Sequence, residues 1–527
     1  MQIENNDLFK RSKQSALQLV FSRVGVILVI LLLQVGLLIA LFSYVTTNYV
    51  HFYYGGSLIV TVIGCIALFN SKSDSSVKLT WMVFFSVLPI IGIFLYFYTR
   101  LEFGHRFERR RLVEISKKSK NQIETDPVIF EEMKTLNDSK DLQGLHHFVN
   151  KIETFPIYKN SQVTYYPLGE DKFSDLLIEL KKAEKFIFME YFIVGKGHMC
   201  GSVLEILIEK AKAGVEVRFM YDGFCEFSLL PRSYSKELEE YGIQCKVFSP
   251  IQPFVSTVYN FRDHRKICVI DGHTAFTGGV NLADEYINEI ERFGHWKDTA
   301  VKIKGKAAES FTLMFLKMWA FDSKDLDFEP WLSIAAQASE GPVEEEGYVM
   351  PYADSPLDDE RVGEMVYFDL LNKAKEYVYI MSPYLILDGE METALTFAAK
   401  RGVDVKIILP HIPDKKYAFA LAKSHYKTLI QAGVEIYEYT PGFVHAKVFV
   451  VDGYKATVGT INLDYRSFYH HFECGVYLEG VQEIKKMEAD FLGTMALSQR
   501  ITLEDVRKEK KFTKILGWTM KIFAPLM

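Results

Sequence analysis

The sequence predicts an α/β protein with two similar, pseudo-symmetric lobes that follow an apolar N-terminal region. Three observations lead to this fold class: a long internal repeat, alternating strand-like and helix-like runs within each copy, and the concentration of apolar residues in 24–98. Over all 527 residues the composition is 49% hydrophobic and 24% charged, as in ordinary folded proteins. A disordered or collagen-like chain is therefore excluded.

The N-terminal region contains three apolar stretches, at 24–45, 50–69 and 79–98. Each approaches the ~20 residues that a helix needs to cross the hydrocarbon, so residues 1–99 are expected to form a membrane anchor of transmembrane helices. Basic residues lie on both sides of this region, and the larger group follows the third stretch. That group favours a multi-pass cell-membrane protein whose globular part is cytoplasmic.

A basic connector at 100–150 follows the anchor and contains the run Arg109–Arg111. This run is expected either to lie in solvent on a helix or to contact anionic headgroups. At the other end of the chain, 501–527 is basic and amphipathic. Such a segment either lies in the headgroup layer or packs on the neighbouring lobe.

The repeat predicts a first lobe at 151–334 and a second at 348–500. KKAEKFIFMEYFIV, LEILIEKAKAGVEVRFMYD and HRKICVIDGHTAFTGGVNLADEY in the first copy match NKAKEYVYIMSPYLIL, METALTFAAKRGVDVKIILP and HAKVFVVDGYKATVGTINLDYRSF in the second. Strands that alternate with helices predict a mostly parallel sheet covered by helices. The acidic segment 335–347, which contains Gly and Pro, is the predicted linker.

Charge and cysteine content exclude other classes. A net charge of −6 gives no overall basic field of the kind that nucleic-acid binders use. The six cysteines include no C-x-x-C pair, so neither a zinc site nor a disulfide framework is expected. We therefore expect no nucleic-acid partner, no metal and no cofactor.

Each copy carries the motif H-x-K-x-x-x-x-D at the same place in the repeat. Its members are His264, Lys266 and Asp271 in the first copy, and His445, Lys447 and Asp452 in the second. The surrounding residues are β-branched, and residues i and i+2 of a strand point to one face, so His and Lys should project together. Two lobes related by a two-fold axis would bring both pairs to one cleft.

Two imidazoles and two ammonium groups in one cleft suit a phosphodiester. The ammonium groups can neutralise the non-bridging oxygens, one imidazole can attack phosphorus, and the other can protonate the leaving alkoxide. Each Asp of the motif either takes part in this chemistry or holds the motif together. The motif therefore predicts phosphoryl-transfer chemistry that needs no metal.

Further polar residues follow each motif. Asn281 and Asn462, next to glycine-containing turns, are expected to bind phosphate. Asp298 and Glu473 lie 34 and 28 residues after the motif histidines His264 and His445. Each carboxylate is expected to accept an imidazole Nδ1–H and so fix the tautomer.

These motifs resemble the phospholipase D superfamily, and the bacterial cardiolipin synthase branch more closely. The resemblance rests on RDHRKICVIDG, FTGGVNLADEY, HWKDTAVKIKG, GFVHAKVFVVDG and GTINLDYRSF, and it extends from about residue 57 to 527. The chain departs from the branch at Asp263, where Asn often stands. It departs again at 24–45, since the branch typically has two spans.

The resemblance implies that two phosphatidylglycerol molecules give cardiolipin and glycerol through a phosphatidyl-histidine, without a metal. His264 is then the expected nucleophile and His445 the acid and later the base, with the reverse assignment left open by the pseudo-symmetry, while Lys266 and Lys447 bind phosphate. Phosphatidylglycerol and anionic membrane lipids would be the partners. A phospholipase D-type hydrolase and a phosphatidylserine synthase of the same superfamily remain alternatives.

Overall fold

The computed structural model describes residues 50–100, 103–135, 140–159, 161–250, 261–323, 326–339, 346–358 and 360–526, and a few positions between 36 and 47. The predicted span 24–45 falls almost entirely outside the described residues. Within the described part of the chain, no helix combines the length and the apolar character that crossing a membrane requires.

The N-terminal region folds into three helices, α1 (Val50–Phe69), α2 (Ser75–Val87) and α3 (Pro89–Arg100). The candidate span 79–98 is not one continuous helix, because the helix ends before Pro89, which has no N–H to continue the helical ladder. The chain folds back there, and the ring centroids of Trp81 and Tyr96 lie 5.3 Å apart.

The described part of the basic connector contains three helices, and the first of them docks on the first lobe. Its helices are α4 (Phe103–Ser119), α5 (Pro127–Thr135) and α6 (Lys140–Ile152). Arg111 donates to the carbonyl oxygens of Ala320, at 2.9 Å, and Phe321, at 3.2 Å. Arg111 therefore anchors the connector by hydrogen bonds to the lobe's own backbone.

The first lobe is a seven-stranded mixed sheet in the order β1-β9-β7-β6-β2-β3-β4. Its strands, with the short strands β5 and β8 outside the sheet, are β1 Ser161–Tyr166, β2 Phe186–Tyr191, β3 Glu216–Asp222, β4 Gln244–Phe248, β5 Arg262–Asp263, β6 Lys266–Ile270, β7 Thr274–Gly278, β8 His295–Lys297 and β9 Ala300–Gly305. The helices are α7 Gly169–Lys182, α8 His198–Lys212, α9 Phe224–Ser228, α10 Tyr234–Glu240, α11 Ala308–Trp319 and α12 Glu329–Ala338.

The second lobe repeats this sheet in the order β10-β19-β17-β16-β11-β13-β14, with β20 added at the edge. Its strands, with the separate pair β12 and β18 and the short strand β15, are β10 Tyr348–Asp354, β11 Tyr377–Met381, β12 Leu385–Ile386, β13 Asp404–Pro410, β14 Glu435–Tyr439, β15 Gly442–Val444, β16 Val448–Val451, β17 Lys455–Gly459, β18 Leu463–Asp464, β19 His471–Glu479 and β20 Ser498–Ile501. The helices are α13 Val362–Lys373, α14 Gly389–Lys400, α15 Lys416–Ala432, α16 Tyr465–Tyr469, α17 Ile484–Ala496, α18 Leu503–Lys508 and α19 Lys511–Phe523.

The predicted mostly parallel sheet is right only for one side of each lobe. β2-β3-β4 and β11-β13-β14 are parallel, because helices connect their strands. The motif strands β6 and β16 instead run antiparallel to β2 and β11, and they continue into β7 and β17 through tight hairpins. The duplicated architecture is as predicted, since equivalent strands occupy equivalent positions in the two sheets.

Two short strand pairs join the lobes. β5 of the first lobe pairs parallel with β19 of the second, and β15 of the second pairs parallel with β8 of the first. β5 and β15 each end directly before a motif histidine. One continuous core, which includes Phe188 and Phe315 of the first lobe and Phe449 of the second, extends across the interface.

Two predicted boundaries shift. Residues 335–338 of the predicted linker are the last turn of α12, and the strand β10 begins at Tyr348. Residues 498–501 form the edge strand β20, so the C-terminal segment begins in the sheet and continues as α18 and α19. Helix α19 packs on α15, where a Cβ at Gly517 would lie 2.3 Å from the carbonyl oxygen of Ala420.

Candidate active site

His264 lies at the lobe interface, directly after β5. Its backbone N–H donates to the carbonyl of Phe472 at 3.0 Å, and its Nδ1 lies 2.9 and 3.0 Å from the two carboxylate oxygens of Glu473. A carboxylate only accepts, so Nδ1 carries the proton and Nε2 keeps its lone pair. Glu473 also accepts from the hydroxyls of Ser467, at 2.8 Å, and Thr460.

His445 occupies the equivalent place in the other lobe, directly after β15. Its backbone N–H donates to the carbonyl of Lys297 at 2.7 Å, and its Nδ1 lies 2.7 Å from Oδ2 of Asp298. The other oxygen, Oδ1, accepts from the backbone N–H of Thr299 at 2.8 Å. Gly279 makes room for this carboxylate, since a Cβ there would lie 2.0 Å from Oδ1.

The carboxylates are exchanged between the lobes. Asp298 follows His264 in the sequence but contacts His445, and Glu473 follows His445 but contacts His264. The exchange results from the interlobe strand pairs, which place each histidine backbone beside the strand that leads to the other lobe's carboxylate. Sequence spacing alone connects each carboxylate to its own lobe and does not reveal the exchange.

Both motif lysines are buried beside the histidines. Lys266 Nζ donates to the backbone carbonyl of His264, and Lys447 Nζ donates to that of His445 and lies 3.0 Å from its Nδ1. Burial lowers the pKa of Lys266 to about 8 and that of Lys447 to about 7. Burial therefore destabilises the charged form of each lysine, and a bound anion would offset this cost.

The two imidazoles share one electrostatic environment. Burial, and then the charges of Lys266, Lys447 and His445, hold the pKa of His264 well below 6.5. Burial, and then Lys447, lower the pKa of His445 to about 4, against the opposing effect of Asp298. His264 and His445 are only 6% and 8% exposed, so both rings are neutral and shielded from water.

The motif aspartates lie at the far end of their strands. Asp271 accepts the backbone N–H groups of residues 184–186 at 2.8 to 2.9 Å, and Asp452 does the same for 375–377. Five residues of strand, about 16 Å, separate each Asp from its motif Lys. This geometry favours the structural alternative for both carboxylates, which is to hold the motif together.

The two asparagines are not equivalent. Asn281 uses both ends of its amide, accepting from Ile193 N at 3.0 Å and donating to the Tyr286 hydroxyl at 2.8 Å. Asn462 is buried, and its Oδ1 has no hydrogen-bond partner in the described structure. Asn462 is thus available to a ligand, whereas Asn281 is engaged within the protein.

Several residues in the site were given no role from the sequence. The rings of His471 and His264 lie 5.1 Å apart between centroids, and those of Trp296 and Tyr286 lie 5.5 and 5.4 Å from that of His445. Their positions depend on the interlobe pairing. The only local signal was the spacing of Trp296 and His471, each two residues before a carboxylate.

Two described clusters contain donors of the kind that bind metals. His264, His471 and Glu473 form one, and the carboxylates of 364, 388 and 390 form the other. In the first cluster Glu473 already accepts two hydroxyls and an imidazole. In the second, Arg361 lies within ion-pair distance of all three carboxylates.

The fold and the crosswise histidine–carboxylate pairs define a two-lobed phospholipase D-like protein. A family model described as "Cardiolipin synthase, PLD-like domain" matches residues 176–319 and 367–495. The chain belongs to this family.

Relatives of nearly full length support this assignment. A "Cardiolipin synthase" of Alkalihalophilus pseudofirmus is 33% identical over 89% of this chain and 93% of its own length. An "Uncharacterized protein" of Streptococcus mutans is 52% identical over 87% of this chain and 98% of its own. Among solved structures, phosphatidylserine synthase of Haemophilus influenzae aligns with a TM-score of 0.54 at 16% identity, covering 73% of this chain and 98% of that one. At that identity the likeness shows the fold alone.

Proposed function

We propose that the protein is a phosphatidyltransferase that converts two phosphatidylglycerol molecules into cardiolipin and glycerol. The observation that carries the proposal is the pair of imidazoles at one interface, each with its Nδ1 held by a buried carboxylate of the opposite lobe. The family and the names of its members supply the substrate class.

The first half-reaction transfers a phosphatidyl group to the protein. Nε2 of neutral His264 attacks phosphorus, and the bond from phosphorus to the glycerol headgroup oxygen breaks. Nε2–H of a protonated His445 gives its proton to that oxygen, and glycerol leaves. The low pKa of His445 in the free protein means that it must gain this proton with the substrate, whose negative charge favours the imidazolium.

The second half-reaction reverses the roles. A headgroup hydroxyl of a second phosphatidylglycerol gives its proton to Nε2 of His445 and attacks phosphorus, and the bond from phosphorus to His264 breaks. The products are cardiolipin and free imidazole, so atoms and protons balance over the cycle. Burial of both rings keeps water from competing with the lipid hydroxyl.

Lys266, Lys447 and Asn462 are the proposed phosphate ligands. The ammonium groups are buried beside the reacting imidazoles, where each interaction with a phosphoryl oxygen is stronger than in water. Glu473 and Asp298 act through the histidines and are positioning residues. Asn281 acts indirectly, because its amide donates to the hydroxyl of Tyr286, whose ring lies against His445.

We further propose that the protein acts at the cell membrane, with the lobes cytoplasmic and anionic lipids as partners. The exposed face of α19 presents Phe512, 75% exposed, and Trp518, 64% exposed, together with Lys511. α2 adjoins this helix, since Thr80 Oγ1 donates to the carbonyl of Ile522 at 2.7 Å. Apolar side chains with flanking lysines suit the headgroup layer of an anionic bilayer.

Product analysis tests the reaction. The full chain in detergent micelles is incubated with phosphatidylglycerol labelled in the acyl chains, and the products are separated by thin-layer chromatography. Cardiolipin with release of glycerol is expected. Phosphatidate as the main product would replace the proposal with a hydrolase, and phosphatidylserine formed only when serine is added would replace it with a phosphatidylserine synthase.

A further inference from the structure

The two interlobe strand pairs match residue by residue, which allows the two sides of the site to be compared. In one pair Phe443 is opposite Trp296, and in the other Arg262 is opposite His471. Phe443 and Arg262 each lie two residues before a motif histidine. Trp296 and His471 each lie two residues before the carboxylate that binds a motif histidine. Trp296 and His471 therefore occupy pseudo-equivalent positions beside His445 and His264.

The walls at these positions differ in chemistry. Around His445 the ring centroids of Trp296, Phe443 and Tyr286 lie at 5.5, 5.9 and 5.4 Å, so this side is aromatic. Around His264 the described structure places one aromatic ring, that of Phe192 at 5.0 Å, and the pseudo-equivalent of Trp296 is a second imidazole. The duplicated site therefore has an aromatic wall on one side, which contains the indole N–H of Trp296, unpaired among the described residues, and an imidazole on the other.

Buried His471 has a partner for only one of its ring nitrogens. It is 6% exposed, and its Nδ1 lies 3.4 Å from Oε1 of Glu473, a carboxylate that His264, Ser467 and Thr460 already engage. Its Nε2 makes no hydrogen bond within the described structure. Since an unsatisfied buried polar group is costly and rare, an imidazole kept in this state beside the reacting His264 indicates a ligand group that is bound during the reaction.

The protonation state of His471 determines what kind of ligand group it can bind. Burial lowers the pKa of His471 to about 3, so the ring is neutral and has one donor and one acceptor nitrogen. A phosphate oxygen only accepts and is better served by Lys266 and Lys447. A hydroxyl both donates and accepts, and it matches a neutral imidazole.

We propose that His471 is the binding residue for a hydroxyl of the polyol headgroup, on the His264 side of the site. The inference rests on the proposed function, in which both the leaving group and the acceptor are glycerol units. It predicts that His471 makes the protein prefer polyols over simple alcohols as acceptors.

Competition between two acceptors tests the proposal. The full-length protein and its variants are given phosphatidylglycerol micelles with labelled glycerol and ethanol together, and the ratio of labelled phosphatidylglycerol to phosphatidylethanol is measured. His471→Phe should lower this ratio about tenfold, because ethanol has no second hydroxyl to lose. His471→Asn, which keeps a donor and an acceptor, should retain most of the preference.

Phe443→Leu is the control on the His445 side, because it changes the wall there without removing a polar atom, and its ratio should equal that of the wild type. An unchanged ratio in His471→Phe, or an equal loss toward both alcohols, would overturn the proposal, the latter by showing that His471 acts only through Glu473. A wild-type protein that transfers to both alcohols but makes no cardiolipin would instead overturn the proposed function, and the acceptor ratio would still test His471.

Discussion

Because the carboxylates are exchanged between the lobes, the structure predicts which variants share a defect, and this grouping differs from the one that sequence spacing suggests. The Asp298→Asn variant should behave like a His445 variant, and Glu473→Gln like a His264 variant. Asp298 accepts from Thr299 N through Oδ1, so after the Asp298→Asn substitution the amide oxygen remains at Thr299 and the amide nitrogen faces His445. Two donors cannot face each other, and the imidazole is then driven to the Nε2–H tautomer.

The magnitude follows from the geometry. The lost contact is a charge-assisted hydrogen bond of 2.7 Å in a fully buried site, worth about 1.5–3 kcal/mol. At about 1.36 kcal/mol per factor of ten, this alone is about 10- to 150-fold in rate. The wrong tautomer also removes the Nε2 lone pair, so we expect a total loss of about 10²–10⁴-fold in turnover.

The assay separates the two half-reactions by mass spectrometry of acid-quenched protein. Glu473→Gln and His264→Ala should both fail to accumulate the phosphatidyl-protein. Asp298→Asn and His445→Ala should share a different pattern, in which the phosphatidyl-protein still forms, slowly, and is released slowly. Asp452→Asn is the control for loss of a motif carboxylate away from the chemistry. Phenotypes that group within lobes, Asp298 with His264, would refute the exchange.

Three further predictions concern other parts of the molecule. Since Lys447 is charged only below a pKa of about 7 and the nucleophile His264 is neutral only above a pKa that burial holds well below 6.5, kcat/KM should rise through that low pKa and fall near pH 7 to 8. In an active Lys447→Arg variant the alkaline limb of the kcat/KM profile should move to higher pH. A limb that stays at the same pH would mean that a group other than Lys447 causes it. Asp271→Ala removes the acceptor of three backbone N–H groups and should destabilise the first lobe by about 2–4 kcal/mol in thermal melts, with activity retained at low temperature. Loss of activity without loss of stability would favour the alternative that Asp271 takes part in the chemistry. Phe512→Ser/Trp518→Ser should weaken flotation with phosphatidylglycerol vesicles about tenfold or more, with the melting temperature unchanged, because two large exposed side chains no longer enter the lipid. Unchanged flotation would mean that α19 only packs on α15.

Sequence reasoning predicted well what depends on short-range patterns. The β-branched runs after each motif histidine are strands, and Gly214, Gly402 and Gly433 follow helix ends with φ between +91° and +105°. The placement of His and Lys two residues apart on a buried strand also follows from local periodicity. Sequence reasoning was less accurate where a single residue outweighs composition. Pro89 divides into two helices an apolar stretch that is long enough to suggest one.

The sequence by itself determined the duplicated α/β lobes, the two His–Lys pairs and the class of chemistry, because a repeat, a two-residue strand period and side-chain functional groups are all properties of neighbouring residues. Only the tertiary structure decided that each imidazole takes its carboxylate from the opposite lobe, that Asp271 and Asp452 bind backbone, and that His471 lies beside His264 with its Nε2 unpaired in the described structure. These facts depend on contacts between residues that lie about 75 to 210 positions apart. Such contacts are set by how the two sheets dock, a free-energy balance that no local pattern records.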